Sequence, residues 1–269
     1  MLVAGTTGSG KTALLRSMLV SLGLHNRQRD VQMVVIDPKG RGYAALGGLP
    51  HLLCPVVGEV HQAAYVLNEL VSMMLQRDRE RIQEPRVVVA IDELADLVVA
   101  GGPGVARSIT RLTQRGREAG LHVIACTQKP TVDAIGSLVK SNFPARLVGS
   151  VASAEDAKVA SGLPGTGAEK LLGRGDFILV VKGEVVRFQA AYVSGEEVAA
   201  LVGRLRQAGR PGQAAETVPG LGAGAVPGQH TGAGWSVEEL GKTGTDERAP
   251  RLGRRPVLHQ VAQQLRLIK

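Results

Sequence analysis

The chain has 269 residues, 44% of them hydrophobic and only 3% aromatic, enough for one substantial α/β core. No apolar run is long enough to span a bilayer and the chain does not open on a charged-then-apolar leader, so a cytoplasmic protein without a membrane segment is expected. The formal charge of +8 argues weakly for a polyanionic partner, because residues 204–269 hold ten Lys/Arg against five Asp/Glu and leave only +3 for the rest.

In chain order, Leu2-Val3-Ala4 reads as the end of a strand and runs into Gly5-Thr6-Thr7-Gly8-Ser9-Gly10-Lys11-Thr12, a G-x-x-x-x-G-K-[ST] loop. Ala13, Leu14, Leu15, Met18, Leu19 and Leu22 follow at helical spacing, which completes the strand, loop and helix order of a triphosphate cradle. The glycines let backbone N–H groups close around phosphate, Lys11 reaches the β and γ oxygens, and the Thr12 hydroxyl is placed for Mg²⁺. ATP or GTP is the expected ligand.

Further strand-like runs fall at 31–36, 86–91, 121–127, 146–151 and 177–181, with 185–192 pairing back through Lys182-Gly183-Glu184. Helical periodicity is read at 60–83, 105–119, 131–141 and 155–161. The alternation predicts an α/β fold with a mainly parallel sheet and helices on both faces. Cys54 and Cys126 lack His or Cys partners at metal-ligand spacing and read as reduced and structural. Order is expected to end near 206, with a Gly/Pro-rich linker at 207–235, since residues 208–234 hold eight Gly and three Pro. A basic tail at 236–269 closes the chain, where Val257, Val261, Leu265 and Ile268 suggest a short amphipathic helix.

A second nucleotide signature is Arg86-Val87-Val88-Val89-Ala90-Ile91-Asp92-Glu93, a buried-type strand ending in two carboxylates. Asp92 suits the Mg²⁺ shell, and Glu93 suits the polarisation of an attacking water. The cation that such enzymes place on the γ-phosphate has four candidates, Arg107, Arg111, Arg115 and Arg117, among which spacing does not choose. The Thr127-Gln128 pair either senses the γ-phosphate through the Gln amide or caps its strand.

Taken together, the P-loop, Ile36-Asp37-Pro38-Lys39, Pro50-His51-Leu52-Leu53, Ile91-Asp92-Glu93-Leu94-Ala95-Asp96-Leu97, Ala119-Gly120-Leu121-His122-Val123, Thr127-Gln128-Lys129-Pro130 and Leu171-Leu172-Gly173-Arg174-Gly175-Asp176 resemble the FtsK/SpoIIIE family of DNA translocase motors, in order over residues 1 to about 200. The resemblance implies a RecA-like P-loop NTPase motor at 1–206, a homo-hexameric ring around double-stranded DNA, and movement of that DNA by ATP hydrolysis with Mg²⁺. It further implies Lys11 and Thr12 as phosphate and metal residues, Asp92 and Glu93 as metal-shell and catalytic carboxylates, Gln128 as the sensor, and Arg117 as a finger acting on a neighbouring subunit. Pore loops that grip the DNA backbone match 129–133 and 153–158, with Lys129 and Lys158 as their cations.

Three departures from the family pattern stand out. The chain begins inside the motor's first strand, where a fragment and an encoded short form are both open. About 35 residues after the linker do not accommodate a complete winged-helix domain. Ala154 stands where the family usually has Lys in the second pore loop. The rival readings are a HerA/VirD4-type conjugative coupling or packaging ATPase, a non-motor nucleotide-binding fragment, and a small-molecule P-loop kinase.

Overall fold

A computed structural model describes residues 1–40, 42–128 and 142–207. Its strands are β1 (Leu2–Ala4), β2 (Val31–Ile36), β3 (Arg86–Ile91), β4 (Leu121–Thr127), β5 (Ala145–Val148), β6 (Asp176–Val181) and β7 (Glu184–Gln189). Its α-helices are α1 (Lys11–His25), α2 (Val60–Glu80), α3 (Leu94–Arg115), α4 (Ala154–Ser161) and α5 (Gly195–Gln207). The predicted helix at 131–141, Lys129, the linker beyond 207 and the basic tail lie outside the described residues.

One seven-stranded sheet runs in the order β2-β3-β4-β1-β5-β6-β7. The first five strands are parallel, and β6 and β7 complete the sheet antiparallel, as an α/β fold with a mainly parallel sheet requires. Side chains alternate across the pleat, so a strand buried on both faces feeds two cores. Val31, Met33, Val35, Val88, Ala90, Ile124, Cys126 and Leu147 pack with α1 and α5 on one face. Val34, Ile36, Val87, Val89, Ile91, Val123 and Val148 pack with α2, α3 and α4 on the other. Interposing β4 between β1 and β3 leaves a strand end between the P-loop and the tandem carboxylates.

Several element boundaries differ from expectation for identifiable reasons. The predicted 105–119 helix is the second of two segments of α3, which part at Gly102 (φ 66°, ψ −163°, non-helical) ahead of Pro103; the first segment, starting at Leu94 and burying Leu94, Ala95 and Leu97, is an addition to the expectation. The last turn of α3 tightens into a 3₁₀ segment at Gly116–Ala119. The fifth strand stops at Val148, since the Ser150 carbonyl is taken by the Thr6 N–H (2.8 Å) and the Thr6 hydroxyl (2.9 Å). The last strand stops at Gln189 as the chain peels onto α1, where Ser17 Oγ donates to the Ala191 carbonyl (3.2 Å) and Arg16 to the Val193 carbonyl (3.0 Å).

Helix α5 was not among the predicted elements, although its start carries a legible signal. The Glu197 N–H donates to Ser194 Oγ (3.1 Å) while the Ser194 N–H donates to Glu197 Oε2 (2.7 Å), a reciprocal capping box. Val198 and Val202 then bury against the α1 face. No helix among the described residues is long and apolar enough to cross a membrane.

Candidate functional site

The site lies at the carboxyl ends of β1, β3 and β4, where a parallel sheet leaves an open crevice beside its central strands. The P-loop leaves β1 with Gly5 at φ 152°, Gly8 at 83° and Gly10 at 101°, conformations that side chains resist. Gly10 is further constrained from outside, because a Cβ there would sit 2.7 Å from the Gly175 nitrogen. Lys11 and Thr12 follow as the first residues of α1, whose N-terminal N–H groups face the loop.

Lys11 is buried, and its ammonium donates to the carbonyls of Gly5 (2.8 Å) and Thr6 (2.9 Å). Burial pushes the ammonium below its ordinary range, opposed by Cys126, Glu93 and Asp92. The loop is also pinned from its far side by the segment preceding β6. The Arg174 N–H donates to the Gly8 carbonyl (3.1 Å) and the Gly175 N–H to the Ser9 carbonyl (2.9 Å). Asp176 anchors that segment by accepting from the Leu172 N–H and, bidentately, from Arg187.

Asp92 and Glu93 emerge from β3 beside this loop. A point one bond from the Gly42 backbone lies 2.6 Å from Thr12 Cγ2, 3.8 Å from Asp37 Oδ2 and 3.9 Å from Asp92 Oδ2, so the Thr12 side chain and two carboxylates converge there. Burial, with the Asp37 charge behind it, raises the Asp92 carboxyl above its usual range. Hard oxygen donors carrying excess negative charge fit Mg²⁺, which takes one or two protein oxygens and completes its shell with phosphate and water. Tyr43, wholly buried, donates its hydroxyl to Asp92 Oδ1 (3.2 Å).

Glu93 is buried and sits in the left-handed region (φ 74°, ψ 72°), a strained conformation for a non-glycine residue. Its Oε1 accepts from the Thr127 hydroxyl (3.2 Å) and the Gln128 N–H (3.1 Å), while Lys39 Nζ stands 3.4 Å from Oε2. The Gln128 side chain reaches the opposite way, its Oε1 accepting from Thr7 Oγ1 (3.0 Å). Gln128 therefore bridges the P-loop and the Glu93 carboxylate.

The other expected residues lie elsewhere. Arg117 is exposed in the turn before β4, at the opposite end of that strand from Gln128, and the seven residues of β4 separate the two by roughly 20 Å. Of its rivals on α3, Arg115 is ion-paired to Asp78 (2.7 Å), and Arg107 and Arg111 are exposed. Lys158 is exposed on α4 and 3.9 Å from Glu155. Sequence reasoning assigned no role to Asp37, Lys39 or Tyr43. The Asp-Pro-Lys turn at a strand end was a usable signal for the first two, since Asp37 caps that turn by accepting the N–H groups of Lys39, Gly40 and Gly42. Tyr43 carries no such signal.

The FtsK/SpoIIIE family profile matches residues 1–82 and 72–132. The DNA translocase FtsK of Sporosarcina ureae is 39% identical over 230 residues, covering 75% of this chain and 29% of that protein. Its counterpart in Leptospira interrogans is 38% identical over 237 residues, covering 78% and 25%. The chain thus spans less than a third of the length of these curated relatives. Among solved structures, the pCW3 conjugation coupling protein TcpA with ATPγS superposes with a TM-score of 0.66 at 24% identity, over 77% of this chain and 64% of that one. The type VII secretion ATPase EccC of Thermomonospora curvata also reaches 0.66 at 22% identity, over 76% and 27%. These two likenesses establish the fold, that of RecA-like P-loop ATPases. With its P-loop, tandem carboxylates and collinear relatives in agreement, the chain belongs to the FtsK/SpoIIIE family.

Proposed function

We propose that this chain is the motor of an ATP-dependent double-stranded DNA translocase, acting as a homo-hexameric ring in chromosome segregation or DNA transfer. The observation that carries the reading is the convergence of Lys11, Thr12, Asp92, Glu93 and Gln128 at one sheet edge in a member of this family. Residues 1–206 form the motor in this reading, 207–235 the linker and 236–269 a basic tail.

In the mechanism, the P-loop N–H groups bind the phosphates of ATP and Lys11 exchanges its loop carbonyls for β and γ oxygens. Thr12 and Asp92 would hold Mg²⁺, which neutralises phosphate charge when bound. Glu93 accepts the proton of the attacking water, and Gln128, touching both the P-loop and Glu93, senses whether the γ-phosphate is in place. Arg117 lies the length of β4 away from its own P-loop, so in this reading it serves a neighbouring subunit's phosphate, which makes assembly a condition of turnover. Lys129 and Lys158 grip phosphodiester oxygens without reading bases, as a motor passing any sequence requires.

The test is ATP turnover of the assembled protein with and without linear duplex DNA. Stimulation by duplex is expected, and Lys11→Ala should abolish turnover. Absence of stimulation in a folded, assembled preparation refutes the motor. Preferential stimulation by single strands replaces it with the coupling-ATPase reading, and a persistent monomer with ATP and DNA present leaves the non-motor one.

A further inference from the structure

We propose that Lys39 is a positioning residue for the Glu93 carboxylate, and that the turn carrying it orients both tandem carboxylates. The inference rests on the reading of this edge as an ATPase centre. Glu93 begins from a left-handed backbone, so the direction of its side chain is set by what its oxygens touch. Oε1 is fixed twice, by the Thr127 hydroxyl and the Gln128 N–H. The terminal torsion of a glutamate is nevertheless broad, and one fixed oxygen leaves the other free to swing. Lys39 Nζ supplies the missing restraint at 3.4 Å from Oε2.

The ammonium is itself held, because Asp96 Oδ2 lies 3.1 Å away. Asp96 and Glu93 are three residues apart at the start of α3, so one cation bridges the entry to the helix and the catalytic carboxylate. The tighter contact is to Asp96, which places Lys39 beside Oε2 without seizing it. An ammonium has three donors, so this grip leaves one unused. At the other end of the same turn Tyr43 holds Asp92 Oδ1, and Asp37 caps the turn between them. Both carboxylates of β3 are therefore oriented from the loop after β2.

An ion pair with a half-exposed lysine contributes little to stability, so the consequence of Lys39 lies in orientation. Misplacing a catalytic group by about 1 Å costs on the order of 10²-fold, and Lys39→Met is expected to lower kcat by about 10- to 100-fold. The Kd for ATP and the melting temperature should stay near wild type. Lys39→Arg, which keeps a cation within reach of both carboxylates, should recover most of the loss, and Asp96→Asn should fall between. Unchanged kcat, or lost ATP affinity at constant kcat, overturns the proposal, the latter by making Lys39 a phosphate contact. A raised rate without DNA also overturns it, because Lys39 would then restrain Glu93.

A readout independent of turnover separates this proposal from the ATPase reading. The Gln128 N–H donates to Glu93 Oε1, so loosening the carboxylate in Lys39→Met should speed residue-resolved hydrogen exchange at Gln128 by about tenfold. Unchanged exchange there refutes the positioning role even if the wild-type chain proves not to hydrolyse ATP. An inactive wild type with accelerated exchange in the variant refutes only the ATPase reading.

Discussion

Asp176→Asn tests whether the segment before β6 braces the P-loop. The carboxylate accepts Arg187 Nε on Oδ1 (2.9 Å), and Arg187 NH2 (2.6 Å) and the Leu172 N–H (2.9 Å) on Oδ2. The side chain of Asp176 is 8% exposed and that of Arg187 58%, so water screens the guanidinium and discounts the pair. An asparagine can keep its oxygen against the Leu172 N–H and Arg187 NH2, which leaves its own NH2 facing the Nε–H donor. Losing one charge-assisted bond and weakening two should cost about 1–2 kcal/mol. That corresponds to a fall in Tm of about 2–8 °C for a domain of this size.

The pH dependence supplies the sharper check. Arg187 holds the Asp176 carboxyl below its usual range against the opposing effect of burial. A depressed carboxyl stabilises the fold fully above its unfolded value of about 4 and loses that contribution as pH falls through the folded value. Urea unfolding of both proteins should show the full gap at pH 7 and a shrinking one below about pH 4. Because this segment donates to the Gly8 and Ser9 carbonyls, ATP affinity should weaken in the variant as well. A gap under about 0.5 kcal/mol at pH 7, or one that persists unchanged at pH 3, refutes the brace.

Two further substitutions probe the cradle. Gly10→Ala adds a Cβ 2.7 Å from the Gly175 nitrogen at φ 101°, so a loss of about 2–4 kcal/mol and of retained nucleotide is expected by thermal melting and equilibrium dialysis. Gly42→Ala, at an ordinary φ, clashes with Thr12 Cγ2 at 2.6 Å, and relieving the clash displaces the Thr12 side chain that bears the expected Mg²⁺ hydroxyl. Its stability cost should be about 1–3 kcal/mol, and the Mg²⁺-dependent part of ATP binding should fall more than the Mg²⁺-free part. Equal loss in both would place the cation elsewhere.

Much of this protein was decided locally. The P-loop announces itself through glycine spacing, because only glycine tolerates the φ values at Gly8 and Gly10, and the buried strands announce themselves as short runs rich in Val and Ile. In α3 the Gly101-Gly102-Pro103-Gly104 run marks a real break, non-helical at Gly102, whereas the segment before it is held as helix by tertiary burial of Leu94 and Leu97, which no local signal announces. Helix α5 is legible in its Ser194 and Glu197 box, a signal as local as the P-loop's.

What only the tertiary structure decided is who meets whom at the sheet edge. The strand order inserts β4 between β1 and β3, and no local pattern states that order. From it follow the bridge of Gln128 between Thr7 and Glu93, the reach of Lys39 across 54 residues to Glu93, and the placing of Arg117 at the far end of β4. Phosphate chemistry is written into short motifs because a loop and a helix start can bind phosphate by themselves. Orientation of the carboxylates is not, because it depends on contacts between segments that only the assembled sheet brings together.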